Sequence, residues 1–306
     1  MGERTAMTEI YERIKSREDA EKLILRSESE FFSDLSDAIE TVFEGEAPKI
    51  IALSGPTCSG KTTTAGMLTE RIRRSGHQAV VMSIDDFFKN QNSINVVKGE
   101  SPDYDSVNAI DLEYLGKVVS RLDAGKEALI PTYSFPMASR TGYREYYPDE
   151  NDIYVYEGIQ AVYPEVVSLF SSAHRSIFIC VNEGVSYRGV TLTAHEIRLL
   201  RRLVRDYRFR NATAEFSLHL WEGVRENEDK HIFPNAGACD VYINSFLEYE
   251  PFIIAPMARE LLETVGSASR YRSQAEELGE KLKVFDNPYF DDRMIPANSV
   301  FREFIG

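Results

Sequence analysis

The sequence predicts an α/β fold in which helices cover both faces of a mostly parallel sheet. Two observations lead to this prediction. Short apolar segments typical of strands alternate with helical segments along the chain, and the first apolar segment runs into a glycine-rich turn and then a helix. A chain of 306 residues is long enough for one large domain of this kind or for two small ones.

The elements can be assigned in order from their periodicity and their boundaries. We expect strands at 49–53, 78–84, 128–133, 153–156, 176–181 and 240–243. We expect helices at 61–74, 109–122 and 194–209, a short helix between the fourth and fifth strands, and a mainly helical segment after the last strand. Residues 88–108 and 134–151 are polar, and we predict both as loops.

Three segments are predicted along the chain. Residues 1–47 are a charged helical extension, in which apolar residues recur at roughly helical spacing at Leu23, Ile24, Phe31, Leu35, Ile39 and Val42. Residues 48–255 form the main domain, with a lid of two helices at about 190–235. Residues 256–306 are a mainly helical tail, and we expect the extension and the tail to pack against the main domain.

Charge and cysteine content exclude several classes of protein. The net charge is −14, which argues against general binding of nucleic acid or of an anionic membrane. No apolar run is long enough to span a bilayer, and the first residues do not resemble a signal peptide. Three cysteines without framework spacing fit a reducing cytoplasm and give no zinc site. The sequence leaves open whether the protein forms a homo-oligomer.

A phosphate-binding loop follows the first predicted strand. The motif G-x-x-x-x-G-K-[ST] is matched by Gly55, Pro56, Thr57, Cys58, Ser59, Gly60, Lys61 and Thr62. Its backbone N–H groups and the helix N-terminus can hold the phosphates of ATP, and we include Thr63 among these contacts. Lys61 can reach the β- and γ-phosphates, and the Thr62 hydroxyl can bind Mg²⁺. The predicted fold is therefore a three-layer α/β domain of the P-loop NTPase type.

Further segments carry a resemblance to one family. They are Ser83-Ile-Asp-Asp-Phe-Phe88, Asp105-Ser-Val-Asn-Ala-Ile-Asp111, Ile130-Pro-Thr-Tyr-Ser-Phe135, Tyr156-Glu-Gly-Ile159 and Arg201-Arg-Leu-Val-Arg-Asp206. In this order and spacing, behind a phosphate loop, residues 49–250 resemble the uridine kinase / phosphoribulokinase family. Residues 295–306 resemble the C-terminus of a bacterial uridine-kinase-like subgroup. The resemblance implies an ATP-dependent kinase with Mg²⁺ as cofactor.

The carboxylates of these segments are the candidate catalytic, metal and acceptor residues. The resemblance implies that Asp85 takes the proton of the attacking hydroxyl and that Asp105 binds the acceptor sugar. Glu157 follows a strand directly and can hold Mg²⁺. The alternatives are a helix or turn cap for Asp85, a solvated strand end for Glu157, and a loop aspartate bonded to its own backbone for Asp105. We interpret Asp86 as a cap or supporting group.

Tyr133 and Arg140 are the candidates for acceptor binding in the strand and loop that follow. Tyr133 ends a strand and could line the pocket, although a core position is nearly as consistent with it. Two departures from the family pattern bear on specificity. Pyrimidine nucleoside kinases of the family carry His where this chain has Ala138, and Tyr where it has Phe88. We therefore expect weak base discrimination or another acceptor.

The predicted helix at 194–209 is rich in arginine. On a helical projection Arg198, Arg201, Arg202 and Arg205 share one face, and Leu199, Leu200, Leu203, Val204 and Tyr207 occupy the other. We expect the apolar face to pack inward and the arginine face to present guanidinium groups to phosphate. Arg202 and Arg205 are the catalytic candidates and Arg210 is a further ATP contact. A surface helix paired with acidic residues is the alternative.

The favoured function is phosphoryl transfer from ATP to a hydroxyl group of a small metabolite. A nucleoside, uridine or cytidine, is the favoured acceptor. The alternatives are a kinase of a non-nucleoside alcohol and a nucleotide-binding regulatory protein with a degenerate acceptor site. The expected partners are ATP and the small acceptor, with no nucleic acid and no membrane.

Overall fold

The computed structural model of the chain describes residues 9–90 and 104–306. The strands in these ranges are β1 (Ile50–Ser54), β2 (Gln78–Ser83), β3 (Ala128–Ser134), β4 (Ser139–Tyr146), β5 (Asp152–Glu157), β6 (His174–Cys180), β7 (Val185–Tyr187), β8 (Val190–Leu192) and β9 (Val241–Asn244). Five of them form one parallel sheet in the order β2-β5-β1-β6-β9. The other four form two antiparallel hairpins, β3–β4 and β7–β8.

Helices cover both faces of this sheet. They are α1 (Arg17–Val42), α2 (Lys61–Arg74), α3 (Leu112–Asp123), α4 (Pro164–Val167), α5 (Ala194–Arg210), α6 (Ala214–Asn227), α7 (Phe233–Ala236), α8 (Glu250–Glu263), α9 (Arg272–Leu282) and α10 (Arg302–Ile305). The observed architecture confirms the predicted α/β class. No helix in the described ranges is long and apolar enough to traverse a lipid bilayer.

The central strand shows why two cores form. Successive side chains of a strand point to opposite faces. In β1, Ile51 and Leu53 join the large core that also contains side chains of α1, α2, α5 and α8. Ile50 and Ala52 join the second core, beneath α3 and the β3–β4 hairpin. An apolar strand without alternation is thus buried on both faces, as expected for the middle of a parallel sheet.

Both ends of the described chain contribute to the large core. Phe31 and Leu35 of α1 are buried there together with Phe301 and Phe304 near the C-terminus. A buried hydrogen-bonded chain joins the two regions, because the Tyr249 hydroxyl contacts Glu28 Oε1 at 2.5 Å and Ser299 Oγ at 3.3 Å. The division into extension, main domain and tail remains a sequence-based prediction.

The predicted elements agree closely with the structure, but β4 and the β7–β8 hairpin were not predicted. Each of the six predicted strands is present within two residues of its predicted ends. The prediction of a loop over 134–151 is wrong, because residues 139–146 form β4 and pair with β3. The β4 side chains are mostly exposed, so the strand has no apolar signature, and its pairing is provided by β3. The loop predicted over 88–108 lies largely outside the described residues.

Candidate active site

Three neighbouring strands end at the same edge of the sheet, and each is followed by a candidate site residue. β1 leads into the phosphate loop, β2 leads into Asp85, and β5 ends at Glu157. Glu157 lies in register with Leu53 of β1 and Ser83 of β2. Ligands collect at the carboxyl ends of parallel strands, so the topology itself brings the predicted residues together.

Close packing fixes the shape of the phosphate loop. A Cβ atom on Gly55 would lie 2.0 Å from the Ile179 carbonyl oxygen, so only glycine fits there. Gly60 has φ +90°, in the left-handed region, and a Cβ atom on it would lie 2.5 Å from Val300 Cγ2. Cys58 has φ +58° although it carries a side chain. The loop is therefore held in one conformation by its surroundings.

The loop presents donors suited to an anion. Helix α2 begins at Lys61 without a side-chain cap from Gly60, so the N–H groups of Lys61 and Thr62 and the helix dipole face the loop. Lys61 Nζ donates to the Pro56 carbonyl at 2.9 Å. The buried Ser59 hydroxyl finds no hydrogen-bond partner among the described residues. This cradle fits a polyphosphate.

Two carboxylates and one lysine meet beside this cradle. Burial raises the pKa of Asp85 to about 7, the nearby Glu157 and Asp105 carboxylates raise it as well, and Lys61 opposes the shift. Burial also raises the pKa of Glu157, while Lys61 and a hydrogen bond from Ser83 lower it. The Ser83 hydroxyl donates to Glu157 Oε1 at 3.0 Å. A carboxylate with a pKa near neutrality is suited to general-base chemistry.

The oxygen donors at this edge fit Mg²⁺ carried by a nucleotide. Thr62 is exposed and Glu157 keeps a second carboxylate oxygen beyond its bond to Ser83. No cluster of three or more His, Cys, Asp or Glu side chains suited to a metal ion occurs in residues 9–90 and 104–306. Mg²⁺ commonly binds through one or two carboxylates together with phosphate oxygens and water, so a sparse set of hard oxygen donors is sufficient.

Asp86 and Asp105 each accept a hydrogen bond from another part of the chain. Asp86 Oδ1 accepts a hydrogen bond from the Tyr133 backbone N–H at 3.1 Å, which anchors the β3–β4 hairpin beside the site. Asp105 Oδ2 accepts one from Asn227 Nδ2 at 3.3 Å, and its carbonyl accepts one from the Tyr163 hydroxyl at 3.1 Å. Asp105 therefore lies between the sheet edge and the end of α6.

Tyr133 lies in a cluster of aromatic rings. Its ring centroid is 5.6 Å from that of Phe88 and 5.4 Å from that of Phe135, and Phe88 also contacts Tyr104 at 5.3 Å. Tyr133 is buried whereas Phe135 is exposed at the hairpin tip. Burial, and after it the Tyr104 hydroxyl, raises the pKa of Tyr133 above its ordinary range. Phe88 is thus a buried member of an aromatic cluster that includes Tyr104, the residue before Asp105.

Arg140 anchors the hairpin. It is opposite Tyr133 in the β3–β4 register. Its guanidinium donates to the Phe87 carbonyl at 3.1 Å, forms an ion pair with Asp111 at 3.0 Å and lies over the Tyr114 ring at 5.2 Å. These contacts hold the guanidinium in place, and contact between Arg140 and an acceptor remains a prediction.

The arginine-rich helix α5 presents different side chains to the core from those predicted. Arg198 and Arg201 are both 0% exposed, and Arg202 is also buried, whereas Tyr207 is 57% exposed. The prediction that this face presents its guanidinium groups is therefore wrong for Arg198 and Arg201, and Tyr207 does not belong to the inward face. Buried carboxylates from other elements explain the difference, because a charge is buried at acceptable cost only when it is paired and hydrogen-bonded.

Arg198 and Arg201 support the phosphate loop from behind. Arg198 donates to the Thr57 carbonyl at 3.2 Å and pairs with Glu228 through both carboxylate oxygens. Arg201 donates to the Cys58 carbonyl at 3.1 Å and pairs with Glu250 at 2.6 Å. These bonds satisfy loop carbonyls and leave the loop N–H groups to face the anion site.

Arg202, Arg205 and Arg210 converge on one buried aspartate. Asp206 is 3.2 Å from Arg202 Nε, 2.8 Å from Arg205 and 3.3 Å from Arg210. One carboxylate cannot neutralise three guanidinium groups, so a positive charge remains. The Cys58 thiol is near enough to affect the pKa of Arg205 and of Arg210, which places this charge beside the phosphate loop.

We expect Arg201→Ala to destabilise the fold strongly. The substitution leaves the fully buried Glu250 carboxylate without its cation, and losing one partner of a buried ion pair typically costs about 3–5 kcal/mol. Urea unfolding measures the change in the free energy of unfolding. Arg270→Ala is the control, because its pair with Glu222 is exposed and such pairs contribute about 0–1 kcal/mol. Equal effects of the two substitutions would contradict this account.

Several residues of the site were not predicted from the sequence. Asp206 lies inside the quoted arginine motif and is spaced four residues from both Arg202 and Arg210, a signal that could have indicated its role. Glu228 and Glu250 gave no such signal. Neither did Glu303, which accepts hydrogen bonds from the backbone N–H and the hydroxyl of Thr63, 240 residues earlier in the chain.

This fold and this site define an α/β domain of the phosphate-loop class. The model of the phosphoribulokinase / uridine kinase family matches residues 50–249. The chain belongs to that family, which confirms the resemblance seen in the motifs.

The relatives that match are distant. Uridine-cytidine kinase A of Dictyostelium discoideum is 29% identical over 197 residues, which covers 64% of this chain and 36% of that protein. Uridine kinase of Lactobacillus johnsonii is 24% identical over 225 residues, 72% of this chain and 99% of that protein. A solved structure, described as a possible uridine kinase from Bacillus stearothermophilus, aligns with a TM-score of 0.48 at 17% identity, over 70% of this chain and 99% of that one. This chain therefore spans about a third of the Dictyostelium protein and nearly all of the Lactobacillus protein.

Proposed function

We propose that this protein transfers the γ-phosphoryl group of Mg·ATP to a hydroxyl group of a small acceptor. The observation that carries the proposal is the meeting of Lys61, Asp85 and Glu157 at the end of three adjacent strands, beside a cradle of backbone donors. Phosphoryl transfer depends mainly on positioning and on stabilising charge, and these residues supply both.

Each residue has one part in the proposed reaction. The loop N–H groups and Lys61 bind and orient the triphosphate. Thr62 and Glu157 would hold Mg²⁺, which would supply positive charge beside the phosphates. Asp85, ionised, accepts the proton of the acceptor hydroxyl as that oxygen bonds to the γ-phosphorus. The bond from the γ-phosphorus to the bridging oxygen breaks, and ADP leaves. Arg202 and Arg205, close to the loop, stabilise the negative charge that develops on the transferred group.

We propose that the acceptor pocket lies between Asp105 and the aromatic cluster of Phe88, Tyr104, Tyr133 and Phe135. Asp105 can accept hydrogen bonds from neighbouring hydroxyl groups of a sugar, and the aromatic rings can pack against a flat or apolar group. A ribonucleoside has both features, and the names of the relatives support uridine or cytidine. The unpaired cysteines fit the reducing cytoplasm that we propose as its location.

The side chains that line this proposed pocket favour broad use of acceptors. Phe88 is buried within the rings and offers no hydrogen bond to a base edge. Ala138 lies in the tight turn of the hairpin, where its N–H donates to the Phe135 carbonyl at 3.1 Å, and it has no polar side chain. Sites that form hydrogen bonds with a substrate discriminate strongly, whereas apolar sites discriminate weakly.

We therefore expect kcat/KM values for uridine and cytidine close to those for other nucleosides or small alcohols. The measurement is acceptor-dependent ADP release across uridine, cytidine, thymidine, purine nucleosides and non-nucleoside alcohols, with Asp85→Asn as the inactive control. A clear preference for uridine and cytidine at about 10⁴ M⁻¹s⁻¹ or more would contradict broad use. Stimulation by no acceptor would contradict the kinase and favour a regulatory nucleotide-binding protein.

A further inference from the structure

The C-terminal segment lies directly on the phosphate loop. In this segment, residues 299–306, the side chain of Val300 packs against Gly60, and Phe301 and Phe304 are fully buried. The Phe304 ring lies 4.7 Å from the guanidinium of Arg201, which itself donates to the loop. The segment therefore packs against both the phosphate loop and an arginine that supports it.

A carboxylate of this segment lies on the first turn of α2. Glu303 Oε2 accepts a hydrogen bond from the Thr63 N–H at 3.2 Å and from the Thr63 hydroxyl at 2.8 Å. These are donors of the type that hold phosphate oxygens at the N-terminus of a phosphate-loop helix. The carboxylate oxygen thus occupies an anion position of the proposed nucleotide site.

We propose that Glu303 is a placeholder anion that competes with nucleotide phosphate for Thr63. The inference rests on the proposed binding of ATP and adds to it a residue that sets the affinity of the phosphate site. A phosphate next to Thr63 meets both an occupied donor pair and a negative charge. Glu303 must release Thr63 before these donors can serve the nucleotide.

The side chain can leave while the segment stays in place. Val300, Phe301, Phe304 and Ile305 are all buried, and the Ile305 carbonyl accepts a hydrogen bond from Arg208, so the backbone is firmly held. Glu303 itself is only partly buried, and its carboxylate accepts hydrogen bonds from Thr63. Arg205 is close enough for Glu303 to raise its pKa, so a cation is near when the carboxylate rotates away.

The exchange favours ligands with high charge density. Hydrogen bonds between N–H groups and an ionised acceptor are roughly twice as strong as neutral ones, so a weakly charged anion cannot easily displace Glu303. A triphosphate also engages Lys61 and the remaining loop donors, so it can displace Glu303. Glu303 therefore excludes small anions from the loop while it admits polyphosphates.

Titration calorimetry of the full chain with Mg·ATP, Mg·ADP, inorganic tripolyphosphate and adenosine tests the proposal. Glu303→Gln keeps the shape and one acceptor oxygen but removes the charge, and Glu303→Ala removes both. We expect both variants to bind the phosphate ligands more tightly, on the order of 10-fold for tripolyphosphate. Adenosine, which lacks phosphate, should bind all forms alike. Glu263→Gln, an exposed position at the end of α8, is the matched control.

The outcomes separate this inference from the proposed function. Unchanged or weaker phosphate binding in both variants would overturn the placeholder and leave Glu303 as a helix cap. Absence of phosphate binding by the wild type and by every variant would overturn it as well. Tighter tripolyphosphate binding in the variants supports it even where the acceptor panel detects no phosphoryl transfer, because that result rejects only the kinase reaction. Urea unfolding of each variant shows whether a change reflects loss of folding.

Discussion

Lys61→Ala is expected to weaken Mg·ATP binding by about 10- to 150-fold and to abolish measurable turnover. The ammonium group is the one charged donor within the phosphate loop, and hydrogen bonds to charged groups contribute about 1.5–3 kcal/mol. Its loss also removes the cation that lowers the pKa of both Asp85 and Glu157. Titration calorimetry and ADP release measure the two effects.

Lys117→Ala is the control for this experiment. Lys117 is exposed on α3 and pairs with Glu113 at 2.5 Å, away from the loop, so its loss should leave ATP affinity unchanged. If Lys61→Ala binds Mg·ATP as tightly as the wild type and turns over at the same rate, the phosphate-loop assignment is wrong.

Asp85→Asn is expected to lower kcat by about 10²- to 10⁴-fold while Mg·ATP affinity stays within a few-fold of the wild type. The amide preserves the shape of the side chain but cannot take up the acceptor proton. Asp86→Asn is the matched control, because its remaining carbonyl oxygen can still accept the hydrogen bond from the Tyr133 N–H. A kcat for Asp85→Asn close to that of Asp86→Asn would exclude Asp85 as the base.

The pH dependence of kcat/KM provides a second measurement on Asp85. A base must be ionised to act, so activity should rise with pH as the group loses its proton. Burial raises the pKa of Asp85 to about 7 in the free protein, and bound Mg²⁺ would favour the ionised form and lower that value. The rise should therefore be centred at or below pH 7 and be absent in Asp85→Asn. An unchanged profile in the variant would assign the ionisation to another group.

The parts of the fold and of the site that depend on local sequence patterns were predictable from the sequence. The strand that enters the phosphate loop, the loop itself and helix α2 are contiguous, and their apolar pattern and glycines are visible directly. Asp85 and Glu157 follow strands whose ends had to converge once the sheet was parallel. Their proximity was therefore predictable from topology without any knowledge of distances.

The remaining contacts depend on which distant residues meet. The helical projection showed four arginines on one face of α5, but it could not show that Glu228 and Glu250 would bury two of them. β4 is a strand because β3 lies beside it, although its own residues are polar. The contact between Glu303 and Thr63 spans nearly the whole chain and leaves no trace in local composition.

The strand order also determines when the protein can fold during synthesis. β1 is made about 100 residues before its first partner, because it pairs with β5 and β6, which begin at residues 152 and 174. Pairings so distant in sequence form slowly, because the intervening chain must be ordered first. The emerging β1 segment, apolar on both faces, therefore stays without its partner strands until β6, which ends at Cys180, has left the ribosome. Chaperone contact during translation should therefore be concentrated on this segment.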